Sequence, residues 1–317
     1  MGTYRNRLPQ LDGGFFLTDG GLETTLIFLE GVDLPHFAAI DMHARPDGED
    51  KLRRYFTPYI EAARRHGAGF VLETATWRAS RDWAEKIGYG EARLAQLNRR
   101  AVAFLDELRA GFDSPRTPMP ISAAIGPRGD GYNPSSMMSA SQAQEYHAWQ
   151  IDIFAGSQAD CVTAFTLGYS DEAIGVARAA ACAAIPCVIS FTTETDGRLP
   201  SGETLRDAIA RVDDSTAGSS AYYMINCAHP AHFAGALAHG EDWTRRIRGL
   251  RANASMRSHA ELDEATELDS GDPDDLGQRY RALMKRLPHV NVIGGCCGTD
   301  HRHIEQAARF CAPARAA

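Results

Sequence analysis

The sequence lacks an excess of basic residues, a long apolar run, a glycine-rich nucleotide fingerprint and any low-complexity block, and each absence removes a class of function. Its 33 Lys and Arg stand against 41 Asp and Glu, a formal charge of -8. That balance is too acidic for a surface that must neutralise nucleic-acid phosphates. The longest apolar run, around 179–191, falls short of the ~18 residues needed to cross a bilayer. The first ten residues, MGTYRNRLPQ, hold no apolar signal-peptide core, and Asn6 spoils a myristoylation motif. A cytoplasmic protein is therefore expected, with a small molecule rather than nucleic acid or membrane as its partner. No G-x-G-x-x-G follows an early strand, which counts against an open, nucleotide-binding doubly wound sheet. No Gly/Ser-rich linker or internal repeat divides the chain.

What is present is an ordinary globular composition, 44% hydrophobic and 23% charged, with ample apolar surface to bury. The seven cysteines are odd in number, in a chain too large to need disulfide staples, so reduced thiols are expected. In that setting clustered cysteines point to metal binding or catalysis. Cys161, Cys182, Cys187 and Cys311 stand apart in apolar or Ala-rich segments and read as small buried residues.

Short apolar runs alternate with segments of helical periodicity almost to the C-terminus, the pattern of repeated β-α units. Strands are predicted at 15–18, 69–74, 121–125, 161–165, 187–191, 222–226, 247–251 and 290–293. Helices are predicted at 50–66, 90–109, 141–156, 171–184, 203–212 and 274–286. About eight strands is the number of a closed barrel, so the predicted fold is α/β, a (β/α)8 TIM barrel in a single domain spanning 1–317. The acidic stretch 261–275 reads as a solvated excursion on a βα loop.

Barrel enzymes build their sites at the C-terminal ends of the strands, and two such ends carry cysteine. Asn226-Cys227 follows the run 222–226, and Gly294-Gly295-Cys296-Cys297-Gly298-Thr299 follows the last strand. If these are the sixth and eighth strands of a barrel, the three thiols face the same end and can converge. Three thiolates suit Zn2+, and three protein ligands leave the fourth position open, as in catalytic sites. The competing reading is a vicinal pair in a buried strand plus an unrelated cysteine. His229 follows Cys227 by two residues and reads as a loop histidine, because three cysteines and a substrate already complete a tetrahedron. His301 and His303 read as surface or packing residues at the start of the last helix.

The GGCCGT motif at 294–299, preceded by Asn226-Cys227 at an earlier strand end, resembles the homocysteine S-methyltransferase family. Thr18-Asp19-Gly20-Gly21-Leu22-Glu23-Thr24 is similar to that family's opening D-G-G motif. Leu72-Glu73-Thr74-Ala75-Thr76-Trp77 resembles the E-T-x-T-aromatic segment in the homocysteine module of cobalamin-dependent methionine synthases. The segments 122–129 and 190–197, with Asn253, sit at matching stations, so the resemblance covers nearly the whole chain. It implies a (β/α)8 barrel, zinc on Cys227, Cys296 and Cys297, and methyl transfer from a small onium donor such as S-methylmethionine, S-adenosylmethionine or a betaine-like compound to homocysteine, giving methionine. The cysteines would be ligands, and the nucleophile the substrate's own sulfur.

By the same resemblance Asp19 would receive the substrate ammonium, with Gly20 and Gly21 offering N–H groups to a carboxylate and Thr74 at the carboxylate end. Glu73 is either a second contact to the amine or an interior charge needing a partner. Asn226 and Asn253 would touch substrate, orient a ligand, or cap a loop. One station departs: where family members carry a glutamate for the amine at the end of the fourth strand, this chain has Phe165 in Ala159-Asp160-Cys161-Val162-Thr163-Ala164-Phe165-Thr166. Either Asp19 and Glu73 carry the amine alone, or the acceptor is a thiol without that amine. An aromatic there could also face an onium methyl donor. The alternatives are a methyltransferase with a different thiol or selenol acceptor or a different onium donor, and a non-catalytic sensor of a thiol metabolite.

Overall fold

A computed structural model describes residues 1–133, 136–237 and 241–313; the expected domain span of 1–317 runs past them at 314–317. Parallel strands β1 (Phe16–Leu17), β2 (Gly69–Phe70), β3 (Leu72–Glu73), β4 (Ile121–Ile125), β5 (Cys161–Leu167), β6 (Cys187–Phe191), β7 (Ser220–Asn226), β8 (Ile247–Ala252) and β9 (Val292–Gly295) form one sheet. β2 and β3 are the halves of a single predicted strand, 69–74, interrupted at Val71. The first half pairs with β1 and the second with β4. Since these halves are the two ends of the strand order, the sheet closes on itself, and the fold is the predicted (β/α)8 barrel in a single domain.

Helices Gly48–His66, Glu91–Ala110, Ala140–Ala155, Ser170–Cys182, Leu205–Thr216, Pro273–Arg286 and His301–Cys311 pack around it. Ser139, Thr204, Asp272 and Asp300 accept hydrogen bonds from exposed N–H groups at the starts of four of them, which is why the polar residues before the periodic runs marked the boundaries well. The helix predicted at 203–212 extends a turn further because its last turn, from Asp213 to Thr216, holds no apolar residue to reveal it. Among the described residues no helix is long and apolar enough to cross a membrane.

The barrel interior is layered. Phe16, Val71, Val188, Tyr222, Met224 and Val292 fill its lower part as a cluster separate from the larger shell between sheet and helices. Above them the inward positions turn polar: Ser122 with Thr163 at 2.6 Å, Ser190 with Asn226 at 2.6 Å, then Glu73 and Arg251. Apolar residues hold the staves together below, and polar chemistry is confined to the C-terminal mouth. Of the isolated cysteines, Cys161 and Cys187 are buried as predicted, whereas Cys182 is exposed and Cys311 is half-buried against the core; Cys182 shows that an Ala-rich segment does not ensure burial.

Candidate metal centre and its two cavities

Cys227 directly follows β7, and Cys296 and Cys297 directly follow β9, with β8 between them. The register aligns Asn226 with Arg251 and Arg251 with Gly294, so the three cysteines leave the sheet at nearly the same height. Backbone bonds then fix the loops: Cys227 N–H donates to Arg251 O (3.1 Å), Cys296 N–H to Ala252 O (2.8 Å), and Ala254 N–H to Cys297 O (3.0 Å). The Tyr280 hydroxyl donates to Gly294 O (2.6 Å) and accepts from Ala252 N–H (2.7 Å), tying β8 to β9 below the pair. At Gly295 a Cβ would stand 2.0 Å from Thr299 Oγ1, and Gly298 turns the chain at φ 79°. The glycines flanking the pair are required by close approach and by left-handed backbone.

All three sulfurs lie within 4.8 Å of one another. Three thiolates on a shared tetrahedral zinc stand roughly 3.8 Å apart, given Zn–S of about 2.3 Å, so the donor set suits a thiophilic cation. Burial pushes the Cys297 thiol up to about 11, and a Lewis-acidic cation is the agent that would ionise it near neutral pH. Cys227 and Cys296 are paired as a disulfide, at the point where a zinc site needs both as thiolates. The reason is proximity: the ends of β7 and β9 deliver both sulfurs to one point.

Asn226 and Asn253 each line a cavity beside the cysteines and also bond the protein. Asn226 Oδ1 accepts from Thr166 N–H (2.9 Å) and Ser190 Oγ (2.6 Å), and its Nδ2 donates to Thr166 Oγ1 (2.9 Å). Asn253 Nδ2 donates to Cys227 O (2.9 Å). Thr166 and Cys227 both have left-handed backbone, at φ 61° and 54°, conformations costly for side-chain-bearing residues unless surroundings enforce them. The two asparagines supply that enforcement. Thr74 is also engaged: its hydroxyl accepts from Ala124 N–H (2.9 Å) and lies 2.5 Å from Thr76 Oγ1, whose own proton goes to Ala124 O (2.7 Å). The Thr74 proton is thereby directed at Thr76.

Two cavities meet at Cys297. The inner one, roughly 710 Å³, is walled by Asp19, Gly20, Glu73, Thr74, Phe165, Arg251 and all three cysteines. The outer one, roughly 1190 Å³, shares Thr24, Phe37, Trp77, Tyr132 and Cys297 with the first and adds Phe28, Arg78, Asp263, Glu267 and Asp269. The acidic stretch 261–275 is thus not merely a solvated excursion. After the short helix His259–Asp263, whose Ser258–Glu261 capping box starts it, it forms an outer wall. His229 is turned away from the sulfurs, its Nδ1 accepting from Ala231 N–H (3.2 Å). His303 is buried in a capping box with Asp300, and His301 is exposed.

Arg251 was not singled out in the sequence, yet it dominates the inner cavity. Its Nη2 lies 2.8 Å from Asp19 Oδ1, its Nη1 3.8 Å from Glu73 Oε1, and its guanidinium 5.1 Å over the Phe165 ring. Nε and Nη2 also donate to Gly295 O (3.0 Å) and Gly20 O (3.1 Å). The other oxygen of Asp19 accepts from the Tyr55 hydroxyl at 2.9 Å. Burial opposes charge on Arg251, but the fields of Asp19 and then Glu73 outweigh it and raise its pKa. The signal in sequence was a second arginine, after Arg248, near the C-terminal end of the strand, where barrel sites are built.

Glu73 is 5% exposed, its Oε2 has no partner, and burial pushes its carboxyl up to about 8 against the pull of Arg251. The folded state therefore binds a proton that the unfolded state releases near pH 4.5. The associated stability is complete below that value and is lost as pH rises through about 8. Between those limits one proton corresponds to a slope of roughly 1.4 kcal/mol per pH unit. Glu73→Gln is expected to remove that component, so urea unfolding between pH 5 and 8 should show a shallower decline than wild type. Parallel profiles would contradict a protonated Glu73.

A family model described as homocysteine S-methyltransferase matches residues 16–311. Among solved structures, the homocysteine methyltransferase MmuM from Escherichia coli in its oxidized form superposes with a TM-score of 0.75 at 21% identity, covering 96% of this chain and 98% of that one. Its metallated form gives 0.73 at 20% identity, covering 95% and 98%. No curated protein matches the sequence.

Proposed function

Because the chain belongs to the homocysteine S-methyltransferase family and is a methyltransferase, we propose that it transfers a methyl group from a small onium donor to an acceptor thiol at a zinc site formed by Cys227, Cys296 and Cys297. The observation that carries this reading is the convergence of the three sulfurs where the two cavities meet. A zinc ion held there would supply the Lewis acidity that keeps an acceptor thiol ionised at neutral pH. Zinc would take Cys227 and Cys296 as separate thiolates rather than as the joined pair.

The inner cavity receives the acceptor and the outer one the donor. Phe28, Phe37, Trp77 and Tyr132 offer aromatic faces to an onium centre, Asp263, Glu267 and Asp269 add negative charge at the rim, and Arg78 offers a cation to any carboxylate the donor carries. The acceptor sulfur attacks the methyl carbon in line. A carbon–sulfur bond forms as the methyl–onium bond breaks, its electron pair leaves with the donor, and the acceptor's thiol proton passes to solvent.

The test is methylation by reduced, zinc-loaded protein, with homocysteine and other thiols as acceptors and S-methylmethionine, S-adenosylmethionine or betaine as donors, products being read by mass spectrometry. Absence of a methylated thiol with every pair would sink the reading. Trp77→Ala is expected to raise the donor KM by roughly tenfold, the scale of one lost cation–π contact, with zinc content unchanged. Equal KM values would place the donor elsewhere. Homocysteine is the acceptor that family membership suggests.

A further inference from the structure

The turn that follows β1 packs directly on the loop that carries Cys296 and Cys297. Gly21 N–H donates to Thr299 O (3.0 Å), and Gly298 N–H donates to the Thr24 hydroxyl (3.2 Å), which itself donates to Gly21 O (3.1 Å). A Cβ at Gly21 would stand 2.6 Å from Cys296 O, so the two backbones approach this closely only because the residue is glycine. Glu23 lies inside this braced turn, in the helical segment Leu22–Thr24, and lines the inner cavity together with the three cysteines. The acid and the sulfurs are therefore held on one framework.

Glu23 is half-buried, and among the described residues no side chain pairs with its carboxylate. Burial pushes that carboxyl up to about 7, against the pull of its own N–H and of the more distant Arg78 and Arg251. The other two carboxyls of the cavity have partners. Asp19 stands 2.8 Å from Arg251 Nη2 through Oδ1 and accepts from the Tyr55 hydroxyl through Oδ2 (2.9 Å), and Glu73 Oε1 lies 3.8 Å from Arg251 Nη1. Asp19 Oδ1 and Glu73 Oε2 nevertheless accept no hydrogen bond, so each keeps a lone pair for a further donor. Three carboxyls thus line the cavity with a single guanidinium. That surplus suits a ligand bearing a cation, and Glu23 is the member of the three that Arg251 does not pair.

We propose that Glu23 is the specificity-determining residue for the α-ammonium of the acceptor, with Asp19 Oδ1 accepting one of the ammonium's hydrogen bonds. Arg251 serves the other end of the amino acid. Its Nε and Nη2 are committed to Gly295 O and Gly20 O, while Nη1 donates to no protein acceptor among the described residues and is available to the α-carboxylate. The assignment deepens the thiol-methyltransferase reading and rests on it for the sulfur end. For the ammonium it rests on the place of Glu23 in the turn braced against the cysteine loop.

The thioether products permit a test that needs no turnover. Calorimetric titration of the reduced protein compares methionine with 4-(methylsulfanyl)butanoate, which differs from it by loss of the amine alone. Methionine is expected to bind roughly tenfold more tightly, the scale of one hydrogen bond to a charged group. Glu23→Gln, which keeps the shape and loses the charge, is expected to erase most of that preference by weakening methionine. Glu23→Asp, which keeps the charge on a shorter arm, is expected to retain part of it. The preference is a ratio within one protein, so a variant that merely loosens the site weakens both ligands and leaves the ratio intact, and that result overturns the proposal. So does a butanoate that binds wild type as tightly as methionine, or failure of methionine to bind at millimolar concentration. Should Glu23→Gln erase the preference while no thiol accepts a methyl group from any donor, the methyltransferase reading fails and the Glu23 assignment stands. Should wild type methylate homocysteine and 4-mercaptobutanoate equally well, the assignment fails and the methyltransferase reading stands.

Discussion

Cys297→Ser is expected to abolish methyl transfer while leaving the barrel folded. Cys297 is half-buried, lies outside the Cys227–Cys296 disulfide and lines both cavities, so exchange of sulfur for oxygen removes a soft donor with little change in volume. A hydroxyl is a poor ligand for zinc in this setting, because the site depends on thiolate softness for its preference. The loss should exceed the roughly 10–100-fold that removal of an outer hydrogen-bond partner of a metal ligand costs. The zinc content should fall with activity, while the circular dichroism spectrum and unfolding midpoint stay close to wild type. Full turnover in a variant emptied of zinc would refute the proposed chemistry outright.

The parts of this site legible in the sequence were those whose partners lie nearby in the chain. Gly294 to Thr299 announces itself because the glycines, the cysteine pair and the turn that orients them are contiguous, and Cys227 stands at an obvious strand end. The barrel followed from periodicity, and even the split of 69–74 into two short strands leaves its pairing with both neighbours intact. Arg251 escaped because its meaning depends on Asp19 and Phe165, which come from two other strands, and beside Arg248 in a strand reading IRGLRA it looks like a second solvated charge. Thr74 and Asn226 line the inner cavity, and nothing local reveals that they also bond Thr76, Thr166 and Ser190. The outer cavity wall was partly readable: Ser258 and Glu261 have the spacing of a capping box, which marks a helix inside a stretch otherwise dominated by acidic residues.

The buried ion pair itself yields the largest stability effect. Asp19→Asn removes the anion 2.8 Å from the guanidinium of Arg251, a residue 7% exposed, and stranding one partner of a buried pair costs about 3–5 kcal/mol. The cost should depend on pH, because Glu73 stands 3.8 Å from Arg251 and becomes its ion-pair partner in the variant. Its pKa then falls from about 8, since with Asp19 neutral the guanidinium gains more from an ionised Glu73. Well below the new value Glu73 is protonated and Arg251 is stranded, so the deficit is greatest; above it the replacement pair forms and part of the deficit is recovered. Urea unfolding at pH 5 and pH 8 is expected to show the penalty shrinking as pH rises. The double variant Asp19→Asn/Arg251→Gln should be less destabilised than the sum of its single variants, because it leaves no charge behind. A penalty for Asp19→Asn that stays below about 1 kcal/mol at both pH values, within the range of an exposed pair, would mean that Arg251 draws its compensation from elsewhere.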